Sequence, residues 1–112
     1  MSFEEALENL EDSLAKCGVQ SERASSNKRK GSVASLELAG KENDRGFFRS
    51  VLAIIYVHED CHDDVKVESE MNSIIEGANS SGGFLLREVD GPYKTDENEG
   101  ICYSQYKLMH IG

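Results

Sequence analysis

Tryptophan is absent from this 112-residue sequence and proline occurs once. One proline beside ten glycines excludes collagen-like and proline-rich classes. No run approaches the roughly 18 apolar residues of a membrane-spanning helix, so a membrane partner is not expected. A basic leader is missing as well. The first residues, MSFEEALENLEDSL, are acidic where a signal or transit peptide would be basic, which places the chain in the cytoplasm, with the nucleus as the alternative. At 38% the apolar share supports one modest core but leaves part of the chain outside it. The length suits a single small domain.

Charge is plentiful but uneven. The formal net charge is −9, with residues 1–19 at −4, residues 20–32 at +3, residues 33–50 neutral and residues 51–112 at −8. An acidic folded part repels duplex phosphate, so it fits a soluble protein or one that meets a basic partner surface. Nucleic acid is then expected only through the basic stretch, where Lys28, Arg29 and Lys30 are consecutive. The three cysteines, Cys17, Cys61 and Cys102, are an odd number without CxxC spacing, and three free thiols are expected. Asn79-Ser80-Ser81 matches a glycosylation sequon that has no use without secretion.

Three segments follow from the patterning. Residues 1–19 read as an amphipathic helix: Ser2 and Glu5 form a capping-box pair, Phe3, Leu7, Leu10, Leu14 and Cys17 repeat at 4-3-4-3 spacing, and Gly18 stops it. A helix this short is marginal alone and must dock, either on its own domain or, as paired helices do, on a second copy. The second reading makes Phe3, Leu7, Leu10 and Leu14 an interaction seam and the protein a homodimer. Residues 20–32, rich in Ser, Lys and Arg, read as a flexible linker. Within it Arg29-Lys30-Gly31-Ser32-Val33 resembles a basophilic kinase site, with Ser32 as the phosphorylated residue.

Residues 33–112 read as an acidic α+β domain. Residues 33–39 are a short strand and 40–46 a turn. The run FFRSVLAIIYVH, 47–58, reads as a central strand because both alternating faces are apolar. Val67, Met71, Ile74, Ile75 and Ala78 mark a helix capped by Asp63 or Asp64 and ended by the glycine-rich stretch from Gly77. Strands at 84–90 and 101–111 flank a polar loop opened by Gly91-Pro92. The fold class expected is a small antiparallel or mixed sheet of βαββ or ββαββ type with one packed helix, plus the N-terminal helix.

His58-Glu59-Asp60-Cys61-His62 matches H-E-x-x-H, and over these five residues the chain resembles zinc metalloproteases. That resemblance implies His58 and His62 as zinc ligands on one helix face and Glu59 as the catalytic base. A broader metal site would pool His58, Cys61 and His62 with Cys102 and His110. The competing reading is a polar strand-to-helix connection with no metal or other cofactor. No set of acid, base and nucleophile stands out otherwise. The function expected is a non-enzymatic regulatory protein acting through protein contacts, with a small zinc protein and a nucleic-acid-contacting arm as the alternatives.

Overall fold

The computed structural model describes residues 1–23, 31–94 and 100–111. Seven elements follow in chain order: α1 (Phe3–Lys16), β1 (Ser21–Arg23), β2 (Ala34–Asp44), β3 (Phe47–His58), α2 (Asp64–Ser80), β4 (Phe84–Lys94) and β5 (Cys102–His110). The five strands form one mixed sheet in the order β1-β2-β3-β5-β4, parallel only between β1 and β2. The α+β class and its ββαββ run are therefore present, and β3 is the central strand. Among the described residues no helix is long and apolar enough to cross a membrane.

Local chemistry accounts for the helix ends. The Ser2 Oγ accepts the Glu5 N–H at 3.1 Å. The Glu5 carboxylate receives the Ser2 hydroxyl at 3.0 Å rather than the Ser2 backbone N–H, so only half of the expected capping box forms. At the other end Gly18 has φ +81°. This lets Val19 N–H reach the Leu14 carbonyl at 2.9 Å and Gly18 N–H the Ala15 carbonyl at 3.0 Å. The Asp63 side chain caps α2 by accepting from Lys66 N–H.

Both helices cover the same face of the sheet. Alternate residues Leu52, Ile54 and Tyr56 of β3 and Tyr106 and Leu108 of β5 meet Ala6, Leu7, Leu10 and Leu14 of α1 and Ile74 and Ala78 of α2 in one core. Leu10 and Leu14 have no exposed surface. The apolar seam of α1 is thus inside this chain's own core, and a second copy meets it only if α1 undocks. Glycine makes the approach possible. A Cβ on Gly77 would lie 2.8 Å from Leu14 Cδ2 and 3.1 Å from Leu14 Cα, so α2 passes through Gly77 as a packing point and ends later, at Ser80. Gly83 likewise meets Ala6.

Three boundaries differ from the sequence reading. Ser21–Arg23, assigned to the linker, pairs with Ala34–Leu36 as β1. β2 continues to Asp44 through a bulge at Gly40 (φ +117°), so 40–46 is strand for most of its length. The tight turn is confined to Arg45-Gly46, both at positive φ, where the Asn43 side chain accepts Gly46 N–H. β4 likewise runs through Gly91-Pro92 to Lys94 instead of stopping there. Its place at the sheet edge tolerates a residue without an N–H.

Candidate functional site

The H-E-x-x-H segment is not helical. His58 is the last residue of β3, and residues 59–63 form a bend and turn before α2. His58 faces the core with no exposed surface, whereas His62 is exposed in the turn, its N–H held by Asp60 at 3.1 Å. The two imidazoles therefore do not share a helix face, and Glu59 is exposed on the bend between them. The metalloprotease geometry is overturned by the strand that precedes it. The wider pool is split as well: His58 is paired with Cys102 at one end of β5, while His110 at the other end contacts Phe3, Phe84 and the Met1 carbonyl. Among the described residues no group of three or more His, Cys, Asp or Glu is arranged to hold a metal ion.

What His58 does join is a buried polar chain. The Tyr56 hydroxyl donates to Glu70 Oε2 at 2.6 Å, and His58 Nδ1 lies 3.3 Å from Glu70 Oε1. On the other side His58 Nε2 is 2.9 Å from Ser104 Oγ, which is 2.8 Å from the Tyr106 hydroxyl. One assignment satisfies every group: Tyr106 donates to Ser104, Ser104 to Nε2, and Nδ1–H to the carboxylate. Burial raises Tyr106 to about 12 and, with Glu70 beside it, also raises Tyr56, so both phenols stay protonated donors.

The order Ser104-His58-Glu70 is that of an acyl-transfer triad. Yet Ser104 and His58 are both wholly buried, and the Ser104 oxygen is closed off by Tyr106. A substrate cannot reach this serine as the chain is folded. The chain's evident work is to fasten α2 to β3 and β5 with satisfied hydrogen bonds.

The remaining residues singled out from sequence separate as follows. Phe3 packs edge-on against Phe84 and His110 beside the core, with Leu7, Leu10 and Leu14 inside it. Ser32 is half-buried at φ +61°, its N–H bonded to the Val57 carbonyl at 2.9 Å. Lys28, Arg29 and Lys30 lie outside the described residues.

A different surface emerges at the far end of the β2–β3 hairpin. Phe47 and Phe48, next to the turn, are 69% and 73% exposed, and Leu38, paired with Leu52 further back along β2, is 67% exposed. Two neighbouring carboxylates are already engaged, Asp44 with Arg49 at 3.2 Å and Glu42 with Lys107. Lys41 and Arg45 carry no ion pair among the described residues, so this apolar tip is locally cationic on a strongly acidic chain. No protein-family model matches the chain, and no curated protein matches its sequence. The sequence reading placed Phe47 and Phe48 in the central strand and overlooked their exposure. One signal was available: adjacent strand residues point to opposite faces, so a pair at a strand's outer end is hard to bury twice.

Proposed function

We propose that this protein is a non-enzymatic interaction module that inserts its β2–β3 hairpin into an apolar depression, rimmed by carboxylates, on a partner protein. One observation carries the reading: three large apolar side chains stand two-thirds or more exposed on one projecting hairpin. Small globular chains rarely leave several large apolar side chains of one hairpin in water without a use, and aromatic residues are enriched where protein surfaces meet. Lys41 and Arg45 on the same hairpin, without an ion pair among the described residues, specify the rim. Complementary carboxylates speed encounter and exclude basic surfaces.

The test is site-specific cross-linking. Full-length protein with a photoreactive residue in place of Phe48 is irradiated in extract from its source cells, with unlabelled competitor present. The reading expects one adduct that excess wild type suppresses, that the Phe47→Ser/Phe48→Ser chain does not suppress, and that weakens as salt rises. Equal competition by both proteins would refute it. So would adducts made only with further copies of this chain, which would mark self-association instead.

A further inference from the structure

We propose that Cys61 and Cys102 are a modification site, joined as an intramolecular disulfide when the chain meets a peroxide. The backbone brings them together. His58 is the cross-strand partner of Cys102, and Cys61 follows His58 by three residues in the turn. That turn is tied back to β5 by the Cys61 N–H, which donates to the Gly100 carbonyl at 2.9 Å, two residues before Cys102. The Cys61 thiol is near enough to Cys102 to raise its pKa, and both cysteines are free. Cys17, the remaining thiol, sits at the C-cap of α1.

Their exposures differ in the way a sequential oxidation needs. Cys61 keeps part of its surface open to a small oxidant, whereas Cys102 is wholly buried. Burial, then the Cys61 thiol, push Cys102 up to about 12, which keeps it protonated and unreactive towards small oxidants. In the first step the Cys61 sulfur attacks one peroxide oxygen and the O–O bond breaks. Cys61 becomes a sulfenic acid and the peroxide leaves as an alcohol or, from hydrogen peroxide, water. In the second step the Cys102 sulfur attacks the Cys61 sulfur. The S–O bond breaks and the hydroxide departs with the Cys102 proton as water. Two thiols are oxidised by two electrons and one peroxide is reduced. The product encloses α2 and β4 in a covalent loop, a constraint on the unfolded chain that stabilises the fold.

Reduced full-length protein is treated with hydrogen peroxide, remaining thiols are alkylated, and the digest is mapped by mass spectrometry. The expected result is a chain lighter by two hydrogens, a Cys61–Cys102 cross-linked peptide, Cys17 alkylated, and a thermal midpoint that rises and falls back on reduction. Cys61→Ser removes the link. Cys102→Ala, checked for folding by circular dichroism, leaves a Cys61 sulfenic acid that a dimedone reagent labels. A cross-link through Cys17, a bond between two chains, or Cys61 and Cys102 both recovered as free thiols in the wild type would overturn the proposal without need of any variant.

Discussion

Leu14→Ala offers a quantitative test of how α1 docks. Leu14 has no exposed surface, and the substitution deletes three carbons from it. At about 0.8 kcal/mol each, the lost transfer free energy is about 2.4 kcal/mol. The facing residue is Gly77, which has no side chain to swing into the gap, so the site collapses poorly. A residual void of about 50 Å³ at roughly 24 cal/mol per Å³ adds about 1.2 kcal/mol. A total loss of about 3–4 kcal/mol is therefore expected. Gly77→Ala alone introduces a methyl 2.8 Å from Leu14 Cδ2 and 3.1 Å from Leu14 Cα. Overpacking of about 1–3 kcal/mol should outweigh the gain of about 1 kcal/mol from helix propensity. In the Leu14→Ala background the Cδ2 contact is gone and only the 3.1 Å approach to the residue-14 Cα remains, so the same methyl should cost less, giving a coupling of about 1 kcal/mol.

Urea unfolding of the four proteins, each at several protein concentrations, reads these values. Cis docking requires midpoints that do not move with concentration, whereas helices paired in trans would make them do so. A loss below about 1 kcal/mol for Leu14→Ala, with additive effects and a concentration-dependent midpoint, would refute the packing argument.

Phe47→Ser with Phe48→Ser should leave stability within about 0.5 kcal/mol, since both rings are mostly in water, while removing partner cross-linking; a large stability loss would mean the rings pack. Glu70→Ala should destabilise by about 2–4 kcal/mol in urea titration by orphaning the Tyr56 hydroxyl and the buried His58 Nδ1–H, and Glu70→Gln by less because it retains an acceptor. A loss under about 1 kcal/mol for Glu70→Ala would show that the polar chain does not hold α2. Alkaline stability should also fall. Cys102 and Tyr106 titrate at about 12 when folded against 9.0 and 10.0 ordinarily, and Tyr56 is raised too. The unfolded chain therefore binds fewer protons across that interval, so stability is full below pH 9 and declines as pH rises towards 12. A flat urea midpoint over that range would contradict the burial of these groups.

Much of this architecture is written in local pattern. The Ser2 cap, the 4-3-4-3 seam and Gly18 define α1; Asp63 and the Val67–Ile74–Ala78 spacing define α2; β-branched residues on both alternating faces mark β3 as central. These features are legible because neighbours in sequence, at periods of 3.6 and 2, suffice to specify them. What the seam packs against is not local. Heptad-like spacing is equally good for a second helix or for the chain's own sheet, and the bare backbone of Gly77 and Gly83 admits α1 in cis. Strand length was also decided at a distance, since β2 and β4 pass through Gly40 and Gly91-Pro92 only because β3 and β5 lie alongside to pair with them. The same holds for the sites. Ser104 meets His58 from 46 residues away, Cys102 meets Cys61 through strand register, and the H-E-x-x-H spacing loses its meaning once His58 ends a strand. Exposure of Phe47 and Phe48 depends on the sheet ending before the hairpin does. Residue type determines what a side chain can do, and long-range pairing determines which neighbours, or how much water, it finds there.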